Sequence, residues 1–83
     1  DVDDKAMAEA EAANALIATR RLDVSDRNAV MTTFADIEKS FGRIDGLVCA
    51  AAIQPRNPVH ETSPEEWRRV LAINLDGVVW CYQ

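Results

Sequence analysis

An amide side chain interrupts an apolar stripe near the C-terminal end of the sequence. The stripe recurs at the spacing of one helical face: Trp67, Leu71, Asn74, Val78. A buried amide needs hydrogen-bond partners, because leaving it unpaired costs on the order of 1–3 kcal/mol. Asn74 is therefore a candidate functional residue. The alternative, which the spacing alone favours, is an amide satisfied in the core or at a helix interface.

Two further segments could contact a small ligand. Asp23 ends a short segment just before a helix, and Ala50-Ala51-Ala52 ends a second, apolar segment. In open parallel sheets, ligands bind outside the carboxyl ends of the strands. A carboxylate there can accept hydrogen bonds from amino or hydroxyl groups, and small residues let a ligand approach the backbone. The alternatives are that Asp23 helps to start the next helix and that the alanines allow tight helix–sheet packing.

Few other residues suggest chemistry. His60 stands alone in a polar loop, and Trp67 and Trp80 suit packing better than ligand stacking. No triad-like spacing of Ser, His and Asp supports a nucleophile, and no cluster of ligand residues predicts a metal site. Asp1 cannot be interpreted by itself, because the residues that would precede it are not in the sequence.

Composition excludes several classes of function. The chain has 83 residues, a net charge of −5 and only 3 Gly. It therefore lacks the basic footprint of a nucleic-acid binder and a glycine-rich phosphate turn. Its apolar runs are too short to span a membrane. Cys49 and Cys81 lie in apolar stretches, which predicts buried, reduced thiols in a cytoplasmic protein rather than a disulfide.

Hydrophobic spacing and capping signals predict three helices. Residues 4–18 are rich in Ala and Glu, which favour helix. A second helix is expected from about 26 to 41, capped by Ser25 and ended by Gly42. Ser63-Pro64-Glu65-Glu66 is a capping box that begins a third helix, which we expect to run to Gln83.

Two segments between these helices are predicted as strands. Residues 19–24 contain β-branched side chains, and residues 44–52 are apolar on both faces, which predicts burial on both sides. The predicted order is therefore helix-strand-helix-strand-helix. This alternation is typical of an α/β fold with a parallel sheet.

Three segments together resemble the short-chain dehydrogenase/reductase family. Leu22–Asp26 resembles the family's LDVSD strand end, and residues 41–48 resemble its FGRIDxLV entry to the fourth strand. Residues 65–77 resemble its EEWxxVxxxNLxG helix. The three occur in the family's order and spacing and cover essentially the whole sequence.

The resemblance implies a fold and an activity. The fold is a doubly wound parallel sheet of Rossmann type, of which residues 1–83 would be the middle portion, truncated at both ends. The activity is hydride transfer between NAD, or less favourably NADP, and a small-molecule carbonyl or secondary alcohol. The resemblance also implies a homo-oligomer formed through the third helix, residues 64–83.

The resemblance assigns roles to five residues. Asp1 would bond the adenosine ribose hydroxyls, which favours NAD because a carboxylate repels a 2′-phosphate. Asp23 would bond the adenine amino group, and Val24 would line the adenine ring. Ala50 would lie beside the adenosine ribose. Asn74 would belong to an Asn-Ser-Tyr-Lys tetrad, in which its main-chain carbonyl holds a water of the proton relay.

The sequence also departs from the family. Cys49-Ala50-Ala51-Ala52 stands where the family usually has Asn-Asn-Ala-Gly, and the glycine-rich turn and the Ser, Tyr and Lys of the tetrad lie outside residues 1–83. In the family's sheet order, two strands separate this chain's two strands, which would lie about 14 Å apart. We therefore expect residues 1–83 alone not to form a stable domain. The alternative function is a truncated, inactive family member that acts as a subunit-interaction module.

Overall fold

The computed structural model describes residues 1–83 as helices joined by irregular segments. The α-helices are α1 (Asp4–Ala13), α2 (Arg27–Phe41), α3 (Pro64–Leu71) and α4 (Gly77–Tyr82). A π-helical turn, Ala72–Asp76, joins α3 to α4, and Val59–Glu61 forms a short 3-10 helix. None of the helices combines the length and the apolar character needed to cross a bilayer.

The predicted start of the third helix is confirmed. Ser63 is the N-cap, its hydroxyl oxygen accepts a hydrogen bond from the Glu66 N–H at 3.1 Å, and Pro64 occupies the first helical position. The reciprocal half of the capping box does not form. The Glu66 carboxylate instead accepts two hydrogen bonds from Asn57 Nδ2, at 2.7 and 3.0 Å. Glu66 therefore ties the preceding loop to the first turn of α3.

The second helix begins one residue later than predicted. Asp26 is its N-cap and accepts a hydrogen bond from the Ala29 N–H at 3.0 Å, so the assignment of Ser25 as the cap is wrong. Ser25 is already engaged, because its hydroxyl and its N–H both donate to Asp23. The predicted C-terminal end is confirmed. Gly42 follows Phe41 with φ 84°, a left-handed conformation that glycine adopts without strain.

The first helix is shorter than the predicted 4–18. It ends at Ala13, and Asn14 is an extended C-cap. The Asn14 side chain accepts a hydrogen bond from the Leu16 N–H at 2.9 Å, which competes with continuation of the helix. Leu16 is 94% exposed, so no apolar contact compensates for extending the helix.

The two predicted strands are absent from the structure. No backbone–backbone hydrogen bond involves any residue from 43 to 57. The expectation that 44–52 is buried on both sides is wrong, since Val48 is 89% exposed, and the expectation of a buried thiol is wrong for Cys49, which is exposed. A strand forms only where a neighbouring segment pairs with its backbone and covers its side chains. None of the 83 residues provides that neighbour for 44–52.

One trace of parallel pairing remains at the other predicted strand. The Asp1 nitrogen donates to the Arg20 carbonyl at 3.0 Å, and the Leu22 N–H donates to the Asp1 carbonyl at 2.8 Å. This alternation about Arg21 is the hydrogen-bond pattern of two parallel strands. The pairing places the Asp1 carboxylate beside the segment that ends at Asp23.

Side-chain packing is concentrated where α2 meets α4. Val30 is fully buried, and Gly77 is the other buried residue in the chain. Arg27 links the two helices: its Nε donates to Gln83 Oε1 at 2.9 Å, and its guanidinium lies 5.7 Å from the centre of the Trp80 ring. With so little apolar area buried, hydrophobic stabilisation is small. That residues 1–83 alone are not a stable domain remains a prediction.

The inward face of the last helical segment agrees only in part with the predicted stripe, of which Leu71 and Val78 are half-buried. Trp67 is 58% exposed and Asn74 is also exposed, whereas Val70, Ile73 and Gly77 are half-buried or buried. The smallest of these residues, Gly77, is buried and packs closely against Val24.

Candidate cofactor site

A cleft of about 500 Å³ is lined by both segments that were predicted to be strands. Four of the five predicted site residues line it: Asp1, Asp23, Val24, Ala50. Ala51 and Ala52 also line the cleft, so three consecutive small side chains form part of its wall. The structure therefore brings together the residues that the sequence assigned to one ligand.

Contact between Gly77 and Val24 fixes the helix against this cleft. An ideal Cβ built on Gly77 would lie 2.7 Å from Val24 Cγ2 and 3.2 Å from the Val24 carbonyl oxygen. Only a residue without a side chain allows the backbone of α4 to approach so closely. The contact fixes Val24 between the helix and the cleft.

Asp23 presents a carboxylate at the cleft. Its Oδ1 accepts hydrogen bonds from the Ser25 N–H at 2.9 Å and from the Ser25 hydroxyl at 2.7 Å. These bonds, assisted by the positive charge of Arg69, lower the pKa of Asp23 from its ordinary value. The carboxyl is therefore ionised at neutral pH, with Oδ1 held by Ser25. Its Oδ2 has no hydrogen-bond donor within the chain and can accept one from a ligand.

Asp1 has a similar arrangement. Its Oδ1 accepts hydrogen bonds from the N–H groups of Val2, at 2.6 Å, and Asp3, at 2.9 Å. Its second oxygen, like that of Asp23, is not used by the chain. Arg69 is the only cationic residue that lines the same cleft. The cleft thus offers two acceptor oxygens on carboxylates and one guanidinium donor.

Asn74 acts as an amide at an interface. Its Oδ1 accepts a hydrogen bond from the Ile53 N–H at 2.9 Å, and its Nδ2 donates to the Ile53 carbonyl at 2.8 Å. The alternative left open by the sequence, an amide satisfied at a helix interface, is the arrangement observed. The premise of a buried stripe is wrong, because Asn74 is exposed. This side chain holds the end of the segment 44–53 on the helix.

Asn74 lies in the middle of the π-helical turn. The Gly77 N–H donates to the Ala72 carbonyl, one residue further back than in an α-helix. Single π turns within α-helices occur frequently at functional sites. Here the wider turn lies where the helix meets Ile53 through Asn74 and Val24 through Gly77.

Asn74 does not line the main cleft with the other four residues. It lines an adjoining cleft of about 230 Å³, together with Gln54 and Trp67. Ile53 lines both clefts, so the two share one wall. The Asn74–Ile53 hydrogen bonds therefore connect Asn74 to the wall that the two clefts share.

Four residues that form or pack against the site were not predicted from the sequence: Arg69, Ile73, Gly77, Ile53. Arg69 and Ile73 line the main cleft, and with Gly77 they recur every four residues on one helical face. The sequence shows this spacing, and a glycine within a helix can indicate the face that packs against a neighbouring segment. Ile53 carries no comparable signal, because Asn74 bonds its backbone and any residue type could present the same groups.

Comparison with known proteins identifies relatives of the whole chain. A family model described as Enoyl-(Acyl carrier protein) reductase matches residues 1–83. Short-chain dehydrogenase/reductase ABA4 of Pyricularia oryzae (strain 70-15) is 36% identical over 90 residues, which cover 98% of this chain and 34% of the relative. Meso-2,3-butanediol dehydrogenase of Serratia marcescens is 40% identical over 60 residues, 72% of this chain and 24% of the relative. By their names, other relatives include both an NAD(+) and an NADP-dependent dehydrogenase.

A solved structure has the same fold. The crystal structure of a short chain dehydrogenase from Bacillus anthracis superposes with a TM-score of 0.90 at 28% identity, over 98% of this chain and 35% of that one. The likeness supports an α/β fold, although no strand pair forms within residues 1–83. The chain spans about a quarter to a third of the length of these relatives. The chain therefore belongs to the short-chain dehydrogenase/reductase family.

Proposed function

We propose that the chain forms the adenosine-binding part of an NAD(P)-dependent oxidoreductase, which transfers a hydride between a nicotinamide cofactor and a carbonyl or secondary alcohol. The observation that carries this proposal is the single cleft lined by Asp1, Asp23, Val24 and Ala50. Ligands of open α/β sheets bind at the carboxyl ends of the strands. The two segments that resemble strands of the family, although unpaired within residues 1–83, both end at this cleft.

The chemistry of the cleft fits an adenosine. The free oxygen of Asp23 would accept a hydrogen bond from the adenine amino group, and the apolar Val24 would contact the face of the ring. The Asp1 carboxylate would accept hydrogen bonds from the ribose hydroxyls. Ala50 adds only a methyl group to the wall, so it leaves space for the ribose.

Charge in the cleft favours NAD over NADP. The 2′-phosphate that distinguishes NADP would meet two carboxylates, Asp1 and Asp23, and one cation, Arg69. Two carboxylates and one guanidinium give these side chains a net negative charge at neutral pH, and the lowered pKa of Asp23 keeps that carboxylate charged to lower pH. Repulsion between like charges weakens binding of the additional phosphate.

The chemical step needs groups that are not among these 83 residues. Residues 1–83 contain no glycine-rich phosphate turn, and Tyr82 is their only tyrosine. When bound, the nicotinamide would supply the hydride acceptor or donor. The contribution of this chain would be to hold the adenosine and to position Asn74. Through its two hydrogen bonds to Ile53, the Asn74 side chain would hold the π turn beside the cleft. The main-chain carbonyl of Asn74 would then hold a water of the proton relay.

Nucleotide titration tests the adenosine site. AMP or NAD added to the labelled protein should shift the amide NMR signals of Asp23, Val24 and Ala50. Asp23→Asn should weaken AMP binding by about tenfold or more, because a hydrogen bond to a charged group contributes about 1.5–3 kcal/mol. Asp36→Asn, on the exposed surface of α2, is the matched control and should leave binding unchanged. Equal effects of the two substitutions would contradict the assignment of Asp23.

Hydride transfer is tested separately on the full-length enzyme. Absorbance of the reduced cofactor should fall with a carbonyl substrate and rise with a secondary alcohol. NAD should give the higher kcat/KM, and Asp1→Ala should reduce that preference. A higher kcat/KM with NADP would contradict the cofactor assignment while leaving the family membership intact.

A second function, subunit interaction, is supported by one exposed face of the last helical segment. Trp67, Leu75, Val79 and Tyr82 are between 46% and 71% exposed. Together with the half-buried Leu71 they recur every three or four residues, so they lie on one apolar face of the last helical segment. We propose that this face docks against the same face of a second copy of the chain, which would form a homo-oligomer through residues 64–83.

Sedimentation measures this association directly. The protein should sediment as a dimer, and Val79→Glu should convert it to a monomer, because a carboxylate would be buried without a partner. Val59→Glu is the matched control, since Val59 is 91% exposed but lies outside this face. A monomer at all accessible concentrations would rule out this function without affecting nucleotide binding.

A further inference from the structure

Arg21 makes two contacts that the proposed function does not use. Its Nη1 donates one hydrogen bond to the Val2 carbonyl at 3.0 Å and another to Asp4 Oδ1 at 2.8 Å. Val2 and Asp4 lie between Asp1 and the first turn of α1. The arginine therefore joins the segment 19–24 to the residues that directly follow Asp1.

The peptide group between Val2 and Asp3 is bonded at both of its ends. Its N–H donates to Asp1 Oδ1 at 2.9 Å, and its carbonyl accepts the hydrogen bond from Arg21 at 3.0 Å. One peptide group thus lies between the Asp1 carboxylate and the guanidinium. Because Asp1 Oδ1 is bonded to the group that Arg21 holds, a shift of this peptide would also shift the carboxylate.

Backbone pairing independently places Arg21 beside Asp1. The Asp1 nitrogen and carbonyl bond to Arg20 and Leu22, the two residues that flank Arg21, at 3.0 and 2.8 Å. In a pair of parallel strands, the flanked residue lies directly opposite the residue that makes both bonds. All the partners in these contacts lie within residues 1–22, so the contacts do not depend on the uncovered segment 43–57. Arg21 does not line the cleft, so its effect on a ligand there would be indirect.

We propose that Arg21 is a positioning residue that sets the preference for NAD over NADP by holding the Asp1 carboxylate in place. The proposal rests on the proposed function, in which Asp1 binds the ribose hydroxyls and repels a 2′-phosphate. With Oδ1 bonded to a peptide group that Arg21 holds, the second oxygen keeps a fixed direction for the ribose. Without Arg21, the Val2 carbonyl loses its donor and the carboxylate can turn away.

The charge of Arg21 would act in the opposite direction to this positioning. A cation near the ribose attracts the additional phosphate of NADP, so the loss of a charge alone would increase the preference for NAD. The loss of a residue that positions Asp1 would decrease that preference. The sign of the change therefore distinguishes the two roles.

Calorimetric titration of the full-length enzyme with NAD and with NADP, in the absence of substrate, tests the proposal. Arg21→Met keeps the apolar stem and removes the donors. It should shift the ratio of the two dissociation constants towards NADP by about two- to fivefold, as expected for an exposed charged contact. Arg20→Met is the matched control, because it removes the same charge from a side chain that donates only to the Thr19 carbonyl. It should not shift the ratio towards NADP.

Two measurements guard against an effect of misfolding. Because the Arg21 side chain is 64% exposed, Arg21→Met should leave the thermal midpoint of the enzyme nearly unchanged. Arg21→Lys keeps one charged nitrogen that can donate to the Val2 carbonyl, so it should recover part of the preference for NAD. Equal ratios in Arg21→Met and Arg20→Met, or a shift of the Arg21→Met ratio towards NAD, would overturn the proposal.

An Asp1→Ala background separates this proposal from the proposed function. Asp1→Ala alone should reduce the preference for NAD, and adding Arg21→Met should then leave the ratio unchanged, because Arg21 acts through Asp1. A further shift in the double variant would show that Arg21 does not act through this carboxylate. An unchanged preference in Asp1→Ala would instead contradict the assignment of Asp1 in the proposed function.

Discussion

Replacing Asn74 with Ala removes the only side chain that bonds the backbone of the segment 43–57. The two lost hydrogen bonds, at 2.9 and 2.8 Å, both involve Ile53. Each contributes about 0.5–1.5 kcal/mol, and because Asn74 is exposed we take the lower part of the combined range, about 1–2 kcal/mol. That free energy corresponds to a change of about 5- to 30-fold in the population of the opened segment.

Amide hydrogen exchange measured by NMR resolves this effect at one position. Ile53 is the only residue in 43–57 whose N–H has an acceptor within the chain, so its amide should be the only protected one in that stretch. Asn74→Ala should accelerate its exchange by about 5- to 30-fold. The measurement is local and does not depend on cooperative unfolding of the whole chain.

Two further variants sharpen the experiment. Asn28→Ala removes an exposed amide from α2 and should leave Ile53 unchanged. Asn74→Asp keeps the acceptor for the Ile53 N–H but places a carboxylate against the Ile53 carbonyl, so its effect should fall between those of the other two. Exchange of the Ile53 amide as fast as that of Gly46 in the unmodified protein, or an unchanged rate in Asn74→Ala, would show that the Asn74 side chain does not hold this segment.

Three other predictions follow from the contacts described. Gly77→Ala should destabilise the packing of α4. Ala favours helix over Gly by about 1 kcal/mol, but the added methyl group overpacks against Val24 at a cost of about 1–3 kcal/mol. The α4 amides should therefore exchange faster, and a Val24→Ala background should reverse this effect. Ser25→Ala should raise the pKa of Asp23 towards its ordinary value, measured by carboxyl NMR titration. Because this pKa is lowered in the structure, the stabilisation from the Asp23–Ser25 bonds is present above the ordinary value of 3.8 and is lost as the pH falls through the lowered pKa. Finally, with two buried residues in 83, thermal unfolding followed by circular dichroism should be broad rather than cooperative, and a sharp transition would contradict the expected instability of these residues alone.

Structural features that depend on a few neighbouring residues, such as helix caps, could be predicted from the sequence. Ser63 and Gly42 were assigned correctly because a cap and a left-handed glycine depend only on their immediate neighbours. Ser25 was misassigned because Asp26, the next residue, offers an equivalent acceptor, and Ser25 is occupied by Asp23. Local chemistry identifies the region in which a helix begins but cannot choose between adjacent polar residues.

Burial could not be predicted from hydrophobic pattern alone. Residues 44–52 have the composition of a buried strand, yet pairing and covering require other segments of chain, which composition does not reveal. The cleft was easier to predict, because the ends of two segments meet there whether or not they pair. Asn74 was identified by its position in the sequence. Its partner Ile53 could not be predicted, because it contributes only its backbone N–H and carbonyl, which nearly every residue type presents.

The unpaired backbone of the segment Leu47–Ala52 has a consequence for handling these 83 residues. The six residues carry no charge and no proline, and their backbone groups make no hydrogen bond within the chain. A largely exposed, uncharged segment with free backbone donors and acceptors is a template for cross-β stacking between chains. Aggregation of residues 1–83 should therefore start at Leu47–Ala52, and Val48→Lys, at a side chain that is 89% exposed, should delay fibril formation without disturbing the helices.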